Sequence, residues 1–343
     1  GNTALGNVGT KTVEFGPFGV TGAPTGAAAG SGTITIGENA TKSIGLLVAD
    51  SEEKLNAGKV NGTETSNRTL KRSGSITANT GANIIVNGDS NYGFVVKSES
   101  YKSVFDATQI DNLLESKDTN NYGIGINKGT ITVNGTNSIA FAMLKGGDSS
   151  NSGSLIVNSA TPVAQGSTAF YGEQGNFTNS GDITVNTPNN TKNKGILLKG
   201  ANATPINFTN TGNISIQGAG NIAVYTEGNS KFTHNVNPTP ATNKISVGDG
   251  SIGVYTKKSS TGTPELNIGA PVELASTTGN TTTIGFYSDG DAQVKFKDGF
   301  KLKVGDKSIG LFSRDTSKFA STFDVSALTT TTEIELGEKS VLS

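Results

Sequence analysis

The sequence predicts an all-β chain wound as a right-handed parallel β-helix, a solenoid of three short strands per coil and about ten or eleven coils. Three observations predict it. A two-part phrase of short apolar runs recurs along nearly the whole chain. A third short run, built on phenylalanine, precedes each later copy. And 46 of the 343 residues are glycine, in a background of Asn, Thr and Ser, which suits many tight corners because Gly and Asn tolerate positive φ. Hydrophobic residues make up 33% and charged residues 16%. A disordered chain would be poorer in the first and richer in the second.

The first half of the phrase is a strand with period-2 alternation. It reads TITI at 33–36, NIIV at 83–86, TITV at 130–133, SLIV at 154–157 and DITV at 182–185. It continues as NISI at 213–216, KISV at 244–247, PVEL at 271–274, KLKV at 301–304 and EIEL at 333–336. The second half reads SIGLLV, NYGFVV, NYGIGI, SIAFAM, STAFYG, KGILLK, NIAVYT, SIGVYT, TIGFYS and SIGLFS. The third strand is NFTN at 176–179 and 207–210, KFTH at 231–234, VKF at 294–296 and TFDV at 322–325. From Ile131 onward the copies recur every ~25–32 residues.

One copy cannot bury its apolar face, but stacked copies can. At about 4.8 Å per paired strand the rod would be roughly 50 Å long. The expected inward residues are Ile214, Ile216, Ile222 and Val224, with Phe208 from the third strand. The same parity predicts an outward column of Tyr171, Leu197, Tyr225, Tyr255, Tyr287 and Phe312. Beside it would run an outward groove of small residues: Ala169, Gly195, Ala223, Gly253, Gly285 and Gly310. Toward the N-terminus the first column would read Leu47, Val95, Gly125 and Ala142.

Two insertions interrupt the rhythm, at about 49–73 and 97–121. The first holds Arg68 and Arg72, two of the three arginines. In the second, Ile110, Leu113 and Leu114 have helical spacing and predict a short amphipathic helix from about Asp106. Residues 1–343 otherwise read as a single unit. Loops on a rigid scaffold often carry function, so Arg68 and Arg72 join the outward aromatics Tyr171, Tyr225, Tyr255, Tyr287 and Phe312 as candidate ligand-binding residues.

The phrases GTITVNGTNSIAFAMLKG, GNISIQGAGNIAVYTEG and KISVGDGSIGVYTK resemble the passenger repeats of large fusobacterial autotransporter adhesins, the RadD-like outer-membrane family. The resemblance covers nearly the whole chain outside the two insertions. It implies a passenger domain exported by type V secretion to the bacterial cell surface, acting in virulence through attachment to host cells and coaggregation with other bacteria. The partners it implies are surface receptors, protein or glycan. The signal peptide and C-terminal translocator barrel of such proteins are not in the sequence, as expected of a monomeric passenger fragment whose only link to the membrane is that barrel. NSIA at 137–140 also resembles the head repeat of trimeric autotransporters, a left-handed β-roll, but those repeats are about half as long.

Chemistry is sparse. Cysteine is absent and the net charge is −1, which removes thiolate metal sites and any basic stripe for nucleic acid. No metal or cofactor is expected. GDGSIG at 248–253 matches a dinucleotide fingerprint, but VYTKK after it reads as a strand where a helix is required. His234, the only histidine, is expected at a strand end, exposed or at an edge. A β-helical polysaccharide lyase or hydrolase is the catalytic alternative; it would need clustered carboxylates, with Asp289, Asp291, Asp298, Asp306 and Asp315 as candidates. A structural spacer whose ligand site lies elsewhere is the other alternative. The reading adopted is non-enzymatic.

Overall fold

The computed structural model describes residues 3–7, 13–15, 32–55, 58–60, 63–65, 68–105, 113–187, 191–201, 203–239, 242–289, 292–314 and 322–343. Within them the chain is an all-β parallel β-helix. Three long parallel sheets run along it, each with ten strands on its main path. The chain visits them in fixed rotation. Sheet 1 holds strands such as Ile222–Gly228 and Ile252–Lys257, sheet 2 Ile206–Asn210 and Ser230–Asn235, and sheet 3 Ile214–Gln217 and Ile245–Val247. In sheet 3, Ile131 pairs with Leu155, 24 residues on, and Leu302 with Ile334, 32 residues on. A repeat of half that length does not fit this register. NYGIGI is the one phrase that falls in a different sheet. Gly125 lies in sheet 2, opposite Ile76, and the outward column of sheet 1 runs Leu47, Val95, Ala142 and Tyr171.

The two long intervals, Ile34 to Ile84 and Ile84 to Ile131, contain antiparallel arms. Strand Ile44–Leu55 pairs within sheet 1 through Ala49, then from Asp50 with the returning strand Arg68–Ser73. Tyr101–Phe105 pairs with Leu113–Lys117. The Lys71 amine sits 5.4 Å above the Tyr101 ring, so the arms touch. The expected helix is corrected here: Leu113 and Leu114 lie in a strand, paired in register with Phe105 and Val104. A neighbouring strand offers these backbone groups partners that a lone helical turn could not match. Asp106 and Ile110 lie outside the described residues. At the feet, Asp50 accepts hydrogen bonds from Ser73 Oγ (2.5 Å), Ser98 Oγ (2.6 Å) and the Glu99 N–H (2.7 Å).

The interior is an apolar column. Phe94, Phe141, Phe170, Phe208 and Phe232 are fully buried and follow one another along the axis, with ring centroids 4.7, 5.9, 4.7 and 6.0 Å apart. Each such burial contributes about 1.5–3 kcal/mol. Ile214, Ile216, Val224 and Phe208 point inward as expected, but Ile222 is only half-buried. The alternation of sheet 1 breaks by one residue. Ile222 pairs with Ile252 and Val224 with Val254, while Ala223 and Gly253 between them have no ladder partner. Ala223 and Val224 both turn inward. The small-residue column is therefore interior, and the expected outward groove does not exist. Smallness is required at this corner: a Cβ on Gly253 would meet the Gly285 carbonyl oxygen at 2.6 Å and Val247 Cγ2 at 3.0 Å.

Two polar ladders are buried with the apolar core. In sheet 2, Asn127, Asn151, Asn179 and Asn210 lie in one fully buried column. Each Nδ2 donates to the Oδ1 of the next, at 2.6, 2.6 and 2.7 Å, and the last donates to His234 Nδ1 at 3.0 Å. At the corner entering sheet 1, the N–H of one coil is taken by a side-chain oxygen of the next. Asn91 N donates to Ser138 Oγ, Ser167 N to Asn193 Oδ1 and Asn193 N to Asn221 Oδ1, at 3.0, 2.6 and 2.9 Å. Corner amides that cannot join a sheet are satisfied in this way.

Candidate functional site

Parallel, in-register strands put like residues about 4.8 Å apart, so an outward tyrosine repeated from coil to coil must stack on its copies. Tyr225 and Tyr255 lie 5.0 Å apart at 5° between planes, Tyr255 and Tyr287 4.8 Å at 14°, and Tyr287 and Phe312 4.8 Å at 33°. Phe312, at 37% exposed, ends the ladder and the tyrosines are half-buried. Two residues beyond each column member stand Glu173, Lys199, Glu227, Lys257, Asp289 and Arg314, alternating in sign. The tyrosine hydroxyls donate into this row: Tyr171 to Glu173 (2.6 Å), Tyr225 to Glu227 (2.9 Å) and Tyr255 to Asp289 (3.0 Å). Burial first, then the adjoining carboxylates, push all three phenols above their ordinary range. They stay protonated and neutral.

The column is interrupted at Leu197, between Tyr171 and Tyr225. A groove of about 620 Å³ opens there. Tyr171, Leu197 and Tyr225 line it, together with Lys194, Lys199 and the loop residues Gln165 and Gly166. Lys194 Nζ donates to the carbonyls of Gln165 (2.7 Å) and Lys192 (3.1 Å). Burial, followed by the charges of Lys199 and Lys192, lowers its pKa to about 8.

Of the residues expected from sequence, the structure unites Tyr225, Tyr255, Tyr287 and Phe312 in one ladder and sets Tyr171 two strands before it. It does not bring the arginines to them. Arg72 pairs with Ser51, and Arg68 with Leu55, on the first arm. That arm leaves sheet 1 three strands before Tyr171, a distance of roughly 14 Å along the axis. The lysines and the loop were missed, although a signal was present: Lys194 stands where Ile222, Ile252, Ile284 and Ile309 stand in later copies.

His234 is corrected from an exposed or edge position to the interior. It is fully buried, stacks near Phe232 at 6.5 Å and terminates the asparagine ladder. Burial pushes its pKa down to about 4, so it is neutral with Nδ1 accepting. Nε2 lacks a partner of good geometry. The candidate carboxylates are engaged in turn-to-turn bonds. Asp298 accepts from Thr329 and Thr330, which hold its pKa down at about 2. Asp306 accepts from the Glu338 N–H at 2.7 Å. Asp289 takes Tyr255 and faces Arg314 at 3.5 Å. Asp291 and Asp315 lie outside the described residues. The first four residues of GDGSIG form a corner, and its last two open the strand Ile252–Lys257. Among the described residues no three His, Asp or Glu side chains gather to hold a metal ion. The chain matches no protein-family model, and no curated protein or solved structure is significantly similar to it.

Proposed function

We propose that the chain is a surface-displayed adhesive rod, the passenger of a bacterial autotransporter adhesin, that binds host-cell or bacterial receptors through the outer face of sheet 1. The carrying observation is the division of labour within the repeat phrase. In SIGVYT (251–256), Ser251 serves the corner ladder, Gly253 fits the tight interior and Val254 fills the core. Tyr255 points outward, as does the half-buried Ile252, and it stacks on its copies while meeting solvent. An aromatic ridge on a stiff scaffold offers large contact area at low entropic cost. The resemblance of the repeats to fusobacterial passengers supports the same reading. No catalytic step is part of the proposal, and the partner is a surface protein or glycan.

The test is saturable binding of the labelled chain to epithelial cells and to partner bacteria. Binding that excess unlabelled chain displaces supports the proposal; no displaceable binding to either cell type overturns it. One observation favours a spacer instead. The ladder hydroxyls are satisfied by carboxylates of the rod itself, as a purely self-covering ridge would have them.

A further inference from the structure

Three departures from the repeat converge on one place. Lys194 replaces the isoleucine of later copies, at the first position of its sheet 1 strand. Leu197, in the same strand, replaces the ladder tyrosine. The corner leading into the preceding strand is long: residues 158–167 separate Val157 from Thr168, against 218–221 between Gln217 and Ile222 and 275–283 between Leu274 and Ile284. Together the three departures open the groove of about 620 Å³, within the range of small-ligand sites.

We propose that this groove binds an acidic oligosaccharide, an inference that rests on the adhesive reading and names its ligand class. Tyr171 and Tyr225 are two strand spacings apart, about 9.6 Å, with the shorter Leu197 between them. A pyranose ring, apolar on its C–H faces and polar at its rim, fits such an interval against aromatic walls. The rim meets Gln165 and Asn137 on the loop side. The charge is complementary to an anion. Lys194 and Lys199 both line the groove, and Lys192 lies close enough for its charge to act on Lys194. Glu173 and Glu227 accept the tyrosine hydroxyls and keep their charge, but neither lines the groove. A half-buried cation costs more there than the isoleucine of the later copies or the Thr168 of the copy before, and an anionic ligand offsets that cost.

The test is calorimetric titration of the full chain with sialyllactose, a heparin-derived tetrasaccharide, neutral lactose and hexaglutamate. Binding of either acidic sugar at least tenfold tighter than lactose and hexaglutamate is expected, and the two acidic arms distinguish carboxylated from sulfated ligands. Lys194→Ala should weaken that binding at least fivefold. Lys199→Gln, at an exposed position, should do the same, and Lys303→Gln, on sheet 3 away from the groove, should leave it unchanged. Equal affinity for lactose, equal affinity for hexaglutamate, or indifference to both groove-lysine substitutions overturns the assignment. If the chain adheres to cells yet takes no acidic sugar, the groove assignment falls and the adhesive reading stands. If it does neither, both fall.

Discussion

His234 shows how one residue can decide a property of the rod. The asparagines before it pass a hydrogen bond from coil to coil, and the imidazole accepts the last one at Nδ1. Protonation would turn that acceptor into a donor facing a donor. Its native pKa is about 4, against about 6.5 unfolded, so the unfolded chain binds the extra proton first. The stability it contributes is complete above pH ~6.5 and is lost as pH falls toward 4, at about 1.4 kcal/mol per unit and ~3 kcal/mol in all. Urea melts at pH 7.5 and 4.5 should show that loss in the native protein. His234→Asn should show a smaller loss, leaving only the carboxylate contributions common to both; equal losses would refute the account. Thr226 and Thr256 present the opposite case. Both hydroxyls are buried without a partner, so Thr256→Val, equal in shape, should raise stability by about 0.5–2 kcal/mol in the same melts.

Among the elements, sheet 3 was the most legible in sequence. TITV, DITV and NISI alternate strictly, and every one of those strands pairs at the register the repeat implies. Sheet 1 was half legible. Period-2 parity placed the tyrosines correctly, but it assumed an unbroken strand, and the skip at Ala223 and Gly253 turned the small column inward. The asparagine ladder was visible as the aligned ends of NFTN, NFTN and KFTH; alternation alone could not tell whether those ends faced water or core. The groove escaped because it arises from departures from the repeat, and a search for the repeat averages these away. The arms escaped for another reason. They have no second copy to align, and the spacing of Ile110, Leu113 and Leu114 suits a helix as well as a ribbon. Their feet are fixed by Asp50 and by Glu99, where burial raises the carboxyl pKa but Lys145 and Lys117 outweigh it. Replacing residues 53–70 by a two-residue turn keeps Asp50 and Ser73. It should leave the circular dichroism of the sheets and the cooperative melt intact, whereas collapse of the melt would show that the arm holds up the coils.

As a whole molecule, the rod joins one kind of interior to one distinctive outer face. Ten turns at about 4.8 Å make a scaffold near 50 Å long, in which each coil rests only on its neighbours. The apolar core and the corner ladder repeat with little change and the asparagine ladder spans four middle coils, whereas sheet 1 changes character along its length. Its outward column runs from Leu47, Val95 and Ala142 to the stacked tyrosines. Stability on this account comes from inside and recognition from the ladder and its gap. The most direct test is to replace Tyr225, Tyr255 and Tyr287 together by Thr, a good strand former, and to measure cell binding and thermal melting on the same preparation. The account predicts a folded rod with a cooperative melt, lowered by the lost stacking of about 0.5–1.5 kcal/mol per ring pair, and at least a tenfold loss of cell binding. Undiminished binding by a folded triple variant would contradict it.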